Sequence, residues 1–384
     1  MRGLQTVHPH AGEAKRLPIA YTLAMNGKQT NAIATLRQAC FAGLGGRALM
    51  PIVAAQLRAL VPSACCQFTW SSETGRITNF WCDTFMPRRT AWIILNHRRY
   101  EADAGLSFRE LAMFGAPTGN LRVWWERGFE RSATYAAVFE PYGFKWFLDG
   151  VVRDAQRPYG VLALIRRRDQ PDFSPDEEAL VGRVLPYLAH ALQVQAMRPA
   201  RFVSAGRSGL VVCSEDGDVL EWSEAAHRLA VFALLERIDL DARVGSGDFD
   251  EARAVLRGVA RELSQRLHDD GDASALPAIV RRNGWGEFVL RGYRLRDGGG
   301  PTTRLGILIE QLVPFESHLL ERINATSLTA KQKEIALLSA KGLANAQIAS
   351  QLNISPHTLK EYFKDIYARL EINSQRQLAE RLSV

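Results

Sequence analysis

The sequence is poor in cysteine, and its cysteines show none of the spacings that mark disulfide frameworks or zinc sites. Five occur in 384 residues, without a C-x-x-C pair and without a histidine at ligand spacing beside them. Two of them, Cys65 and Cys66, are adjacent, and in a strand they would point to opposite faces, which makes a redox-sensing pair the weaker interpretation. We therefore predict buried free thiols, no metal site and no cofactor.

Long hydrophobic runs are also missing. Hydrophobic residues make up 47% of the chain, yet no run of about 18 apolar residues occurs, which excludes a membrane-spanning helix. The first residues contain no apolar segment of the kind found in secretion signals. Residues 1–24 are predicted to be a disordered tail, or an extension upstream of a start at Met25, and the protein is predicted to be cytoplasmic.

Motifs of several enzyme classes are absent. No Gly-Lys-Ser or Gly-Lys-Thr occurs, which excludes a P-loop, and the N-terminal part lacks the acidic pair of a phosphorylated receiver domain. Ser208 has a glycine two residues before it, but leucine stands at the second glycine position of G-x-S-x-G. A catalytic group assembled in space stays open, but no motif indicates one, so we predict that the protein is not an enzyme.

Positive charge is concentrated near the C-terminus. The chain has a formal net charge of +7 and a pI near 9.3. Five of its eight lysines fall between residues 327 and 384. Such clustering permits binding to nucleic-acid phosphates without proving it.

Capping signals predict four short helices in this basic region. Thr329 with Gln332 forms a capping box, and Ser355 followed by Pro356 gives an N-cap with a first-turn proline. Asn345 can cap the second helix, and Ser374 with Gln377 forms a capping box for the last one. The second and third helices, joined at 353–355, form a helix-turn-helix.

The third of these helices carries the candidate contact residues. Its apolar stripe turns inward, so its polar side is exposed, with His357, Thr358, Lys360, Glu361, Lys364 and Asp365. Lysines four residues apart share one face, from which Lys360 and Lys364 can reach guanine acceptors or phosphates in a major groove. Glu361 can accept a hydrogen bond from a cytosine amino group. A merely solvated helix face is the alternative, which the flanking caps disfavour.

Four stretches in this region together resemble the C-terminal DNA-binding domain of the LuxR family of bacterial transcription regulators. They are LTAKQKEI (328–335), KGLANAQIA (341–349), LNISPHTLK (352–360) and IYARLEINSQR (366–376). The resemblance implies an all-α four-helix domain over 327–384 that binds a two-fold DNA operator as a homodimer and works with RNA polymerase.

The same resemblance assigns roles to individual side chains. It implies base contacts by Lys360, Glu361 and Lys364, with His357 on the same side, and phosphate contacts by Ser355, Thr358 and Arg376. Three positions depart from the family pattern, namely Tyr362 for histidine, Gln347 for glutamate and Glu371 for a frequent glycine. The acyl-homoserine-lactone sensors of the family carry a Trp, Tyr and Asp-Pro pattern that this sequence does not match.

Residues 25–197 resemble a GAF domain, a small-molecule sensor with an α+β fold. The pattern is two helices, two strand pairs and a closing helix, predicted over 31–41, 46–60, 65–71, 77–82, 144–152, 160–166 and 174–197. Aromatic side chains often line small-molecule pockets, although any one of them is more often core filler. The candidate pocket residues are Trp81, Trp92, Trp124, Trp125, Tyr135, Phe139 and Trp146.

A second α+β unit, over 203–313, resembles a PAS domain. Strands around the turn 216–218 lead into a helix from Ser223, and two long strands, 287–295 and 303–311, form a hairpin. The charged segment 248–272 is predicted to be a helix and loop on the solvated surface. Residues 314–326 follow as an amphipathic linker.

The predicted fold is therefore multidomain, with two α+β sensor domains followed by a helical DNA-binding domain. The predicted function is a DNA-binding transcription regulator modulated by an unknown small molecule bound in the N-terminal sensor region. The alternative is a signalling adaptor that binds a protein partner through its sensor domains, with a helix-turn-helix that does not contact DNA.

Overall fold

A computed structural model gives the fold of most of the chain. It describes residues 25–44, 46–84, 101–103, 105, 107–193, 201–214, 216–234, 248–269, 276–297 and 300–383. The predicted tail 1–24 lies outside these residues. Within them, no helix combines the length and apolar character needed to cross a membrane.

The first unit is an antiparallel sheet with helices on both faces. Its strands follow the order β2-β1-β4-β3. The strands are β1 (Cys65–Ser71), β2 (Ile77–Cys82), β3 (Phe144–Arg153) and β4 (Pro158–Arg167). The helices are α1 (Gly27–Cys40), α2 (Gly46–Leu60), α3 (Phe108–Phe114), α4 (Arg122–Glu126), α5 (Ala133–Val138) and α6 (Pro175–Gln193).

Side-chain alternation along the strands divides the interior of this unit in two. In β1, Cys66, Phe68 and Trp70 belong to the core shared with α1, α2 and α6. Cys65 faces the other way, into a second, aromatic core beside α3, α4 and α5. The expectation that adjacent cysteines would point to opposite faces is confirmed.

The second unit is a five-stranded antiparallel sheet of order β6-β5-β9-β8-β7. Its elements are β5 (Phe202–Cys213), β6 (Val219–Trp222), α7 (Glu224–Leu234), α8 (Asp248–Asp269), β7 (Ala278–Asn283), β8 (Gly286–Asp297) and β9 (Gly300–Pro314). Helix α8 is not merely a solvated surface, because Leu256, Val259, Ala260 and Leu263 are buried in the core. These apolar residues recur at helical spacing between the charges and turn inward.

The C-terminal part is entirely helical. It comprises α9 (Phe315–Asn324), α10 (Ala330–Ala340), α11 (Asn345–Leu352), α12 (Pro356–Leu370) and α13 (Gln375–Ser383). Thr329 accepts a hydrogen bond from the Gln332 amide, which confirms the predicted capping box of α10. The predicted fold class, two α+β units followed by a helical one, is confirmed.

The α9 helix joins the sheets to the C-terminal helices and is buried on several sides. It packs against α2, β5, β9, α10 and α13. Four of its residues hold buried polar atoms with no hydrogen-bond partner among the residues described, namely Glu316, Ser317, His318 and Asn324. The two α+β units also contact each other directly, since Trp285 between β7 and β8 lies edge-on against Trp70, with ring centroids 5.3 Å apart.

Candidate functional site

The start of α12 is fixed by its own sequence. Ser355 has an extended backbone, and its hydroxyl accepts a hydrogen bond from the Thr358 amide at 3.0 Å. Pro356 occupies the first helical turn, where its missing amide hydrogen leaves no intrahelical bond unmade. The Ser355 and Thr358 hydroxyls lie 2.8 Å apart at this exposed end of the helix.

Burial along α12 separates the helix into a core side and a free side. Leu359, Phe363 and Ile366 are buried against the other C-terminal helices. The exposed residues include His357, Thr358, Lys360, Glu361, Lys364 and Asp365. The structure therefore places five of the seven candidate contact residues on one helix, with a sixth, Ser355, as its cap.

The free side of α12 forms one wall of a concave surface. Lys360, Glu361 and Lys364 line it together with the first residues of α11 and α13, and it encloses about 760 Å³. Gln375 of α13 donates to the side chain of Asn345 of α11 at 2.5 Å, which ties the opposite wall together. The surface carries charges of both signs, has a largely apolar floor and is open to solvent.

Arg376 is the candidate residue that lies apart from the others. It is on α13, it is exposed, and its guanidinium donates to Glu380 at 2.8 Å. The hydrogen bond and charge of Glu380 raise the pKa of Arg376. Glu380 occupies only the Nε–H of this guanidinium, so the remaining N–H donors can bind a phosphate beside that carboxylate.

Those aromatic candidates of the first unit whose side chains the structure describes do not form one pocket. Trp125 contacts Tyr135, Phe147 and Trp146 at centroid distances of 5.5, 5.9 and 6.4 Å. Tyr135 stacks on Phe139 at 6.3 Å, and its hydroxyl donates to the Phe144 carbonyl at 2.9 Å. These rings pack mainly against one another in the second core.

Trp81 lies apart from this aromatic cluster. It belongs to the first core and lines a cavity between the two α+β units. Trp92 lies outside the described residues, and of Trp124 only the backbone position in α4 is described.

Two groups that sequence reasoning missed lie beside the aromatic cluster. Asp149 in the middle of β3 is fully buried, and it accepts hydrogen bonds from the Asn120 side chain at 2.6 Å and the Leu121 amide at 2.9 Å. Burial raises the pKa of Asp149 despite these donors. A lone acidic residue in the apolar run Phe-Leu-Asp-Gly-Val was the available signal.

The second missed group is a cysteine pair between the neighbouring strands β1 and β2. The Cys65 and Cys82 sulfurs are 3.2 Å apart, and the Asp83 carboxylate lies within 4.8 Å of both. No local spacing indicated this group, because β-pairing brings together residues that are distant in the sequence.

Comparison with known proteins matches the C-terminal part of the chain. Residues 326–382 match the family model described as bacterial regulatory proteins, luxR family. A curated protein of Escherichia coli (strain K12), "Putative HTH-type transcriptional regulator YhjB", is 40% identical over 58 residues, which cover 15% of this chain and 29% of that protein. Mb0914c of Mycobacterium bovis, named in the same way, is 28% identical over 129 residues, 34% of this chain and 14% of that protein.

The solved structures found by the same comparison are more distant. A Vibrio cholerae VqmA–ligand–DNA complex has 16% identity and a TM-score of 0.21, over 46% of this chain and 82% of that chain. A TM-score this low does not establish a common fold. The chain also spans less than a third of the length of the two curated relatives, so the match concerns residues 326–382 above all.

Proposed function

Because the chain carries at its C-terminus a helix-turn-helix domain of the luxR family of bacterial regulatory proteins, we propose that it is a transcription regulator that binds specific DNA sites. The observation that carries this proposal is α12, a capped helix with its apolar side buried and Lys360, Glu361 and Lys364 exposed. An exposed helix of this kind fits the major groove. Lysine contacts to phosphate would supply most of the affinity, and base contacts the choice of site.

The remaining parts of the proposal follow the domain order of the chain. Residues 25–197 and 203–313 act as GAF-like and PAS-like sensor domains, 314–326 as the linker, and 327–384 as the DNA-binding domain. A small molecule bound in the sensor region changes operator affinity, and the regulator acts in the cytoplasm as a homodimer, contacts RNA polymerase and catalyses no reaction. The two α+β units that precede the helical domain support this arrangement.

Capture of sheared genomic DNA by the purified full chain, followed by sequencing of the retained fragments, tests the proposal. We expect enrichment at a small set of near-palindromic sites, because a two-fold dimer places two copies of α12 on two half-sites. Retention of all fragments alike, or of none at low salt, would contradict it. Loss of all salt-dependent binding would favour the adaptor, whose helix-turn-helix does not contact DNA.

A further inference from the structure

A cavity of about 800 Å³ lies where the two α+β units meet the α9 helix. Its walls come from α2, β2, β5, α7, β9 and α9, and its lining includes the rings of Trp81 and Trp285. The volume is within the range of small-molecule sites, which often occur at domain interfaces. The aromatic candidates at α4 and α5 instead pack on one another.

One polar group inside this cavity has no partner among the described residues. Ser317 of α9 lines the cavity, is 2% exposed, and its hydroxyl makes no hydrogen bond there. A buried hydroxyl without a partner is costly, and native proteins seldom retain one without reason. A ligand atom in the cavity would give the hydroxyl its missing hydrogen bond.

The charges around the cavity favour an anion. It is lined by one more cation than anions, the charged residues being Arg47, Arg58, Arg207, Arg228, Asp83, Glu224 and Glu321. Arg228 is half-buried and donates to the Cys82 carbonyl, a neutral acceptor, at 3.2 Å. Burial, and then the neighbouring charge of Arg207, lower the pKa of Arg228, and the charge of Asp83 opposes this lowering only in part. A ligand anion here would therefore further reduce the repulsion between the two arginines.

The cavity also touches the element that leads to the DNA-binding helices. Arg207 of β5 donates to Glu321 of α9 at 3.1 Å, and both side chains line the cavity. This ion pair is partly exposed, so it holds α9 only weakly. A ligand anion on Arg207 would displace Glu321 and release α9 from β5.

From these observations, and resting on the proposed function as a regulator, we propose that this cavity is the effector site and binds a small carboxylate with an aromatic ring. The ring lies against Trp81 and Trp285, and the carboxylate takes Arg207 and the Ser317 hydroxyl. Binding replaces the Arg207–Glu321 pair, and α9 transmits the change to α10 and α13, against which it packs.

Calorimetric titration of the full chain tests the site. The probes are benzoate, phenylacetate and indole-3-acetate, each paired with its uncharged amide. We expect at least one carboxylate to bind and its amide to bind about tenfold more weakly or not at all. Equal binding of acid and amide, or no binding of any of the three carboxylates, would overturn the proposal.

Paired variants test the location. Ala55 lines the cavity from α2, whereas Ala59, one turn further along and also exposed, does not. Ala55→Trp should abolish carboxylate binding and Ala59→Trp should leave it unchanged, with both folded by circular dichroism. If Ala55→Trp binds as the wild type does, the ligand is elsewhere.

A second pair of variants tests the coupling. Arg207→Gln should weaken carboxylate binding about tenfold. Glu321→Gln should leave binding as tight or tighter, because it removes the competing carboxylate. If both variants weaken carboxylate binding equally, the ligand does not replace Glu321 on Arg207.

Operator binding by the same preparations separates this inference from the proposed function. If the protein binds specific DNA sites but no carboxylate changes that binding, the proposed function stands and the effector site is refuted. Carboxylate binding without any DNA binding would refute the proposed function but not the cavity site.

Discussion

At the scale of single residues, Glu371 occupies a backbone conformation that suits glycine. Its φ is +56°, just beyond the last turn of α12, and the next amide, of Ile372, bonds back to the Tyr367 carbonyl. The β-carbon of an L-residue makes this left-handed region unfavourable by about 1 kcal/mol or more. The family's frequent glycine at this position therefore has a backbone cause, and the departure noted in the sequence is costly.

We expect Glu371→Gly to raise the free energy of unfolding by about 0.5–1 kcal/mol, since glycine adopts positive φ without that cost. Urea unfolding of the full chain measures it. Glu371→Ala is the matched control and should give no such gain, because alanine keeps the β-carbon. Equal stabilisation by both variants would show that removal of the charge, not the backbone, is responsible.

His227 makes the stability of the folded protein depend on pH. It stacks on Trp222 with ring centroids 4.1 Å apart, and burial, with the charge of Arg253, lowers its pKa to about 4 from the usual 6.5. The unfolded chain therefore takes up the proton first as the pH falls. Stability from this residue is complete above pH 6.5 and is lost progressively between pH 6.5 and about 4.

Thermal unfolding at a series of pH values, with wild type and His227→Gln side by side, measures this loss. The wild type should lose stability faster than the variant as the pH falls below 6.5. Its plot of unfolding free energy against pH should be steeper by an amount that corresponds to at most one proton. If stability falls with pH in parallel for the two proteins, the imidazole is protonated without cost in the folded protein.

At the scale of elements, the sequence predicted those ends of helices and strands that caps and turn residues determine locally. Strands β1 and β2 begin and end at the predicted residues, since each is flanked by turn residues, and Ser355 caps α12 as expected. Helix α1 begins at Gly27, ahead of the predicted start, because Asn26 and Gln29 form a capping box. Strand β7 was missed, because this edge strand ends in Arg281, Arg282 and Asn283 and lacks clean alternation.

The free side of α12 is the element whose chemistry can be measured most directly. Lys364→Ala should weaken operator binding by about 1–3 kcal/mol and change site preference if the lysine contacts a base. If it contacts only phosphate, the loss should be equal on all sequences and the salt slope should fall by about one.

The matched control for this measurement is Lys28→Ala, an exposed lysine at the start of α1, far from α12 in the sequence. It should leave both affinity and salt slope unchanged. An equal effect of the two substitutions would mean that net charge alone governs DNA binding, and that α12 has no special part in it.

At the scale of the whole molecule, the contacts between units were beyond sequence reasoning. Trp70 and Trp285 meet although a long segment of sequence separates them, and Phe232 stacks on Trp285 with ring centroids 4.6 Å apart. Nothing local in the sequence distinguishes these tryptophans from core filler. Likewise the cavity beside them is lined by six elements that only the assembled fold brings together.

We expect Trp285→Ala to uncouple the two α+β units. Truncating a buried tryptophan costs about 3–5 kcal/mol, and here much of that loss falls on the contact between units. Scanning calorimetry should then show two separated transitions in place of a more cooperative one. Trp222→Ala, whose ring stacks on His227 of its own unit, should lower stability without splitting the transition.

The unpartnered polar atoms of α9 bear on how the protein exchanges amide hydrogens with solvent. Apolar residues of this helix are buried, but the hydroxyl, imidazole and amide atoms beside them bury polar surface without compensation. Partial unfolding that exposes α9 to water lets those atoms form hydrogen bonds, whereas opening of a sheet interior breaks bonds already made. The backbone amides of α9 should therefore exchange at a lower opening free energy than those of β4 or β9, as a separate cooperative unit between the sheets and the C-terminal helices.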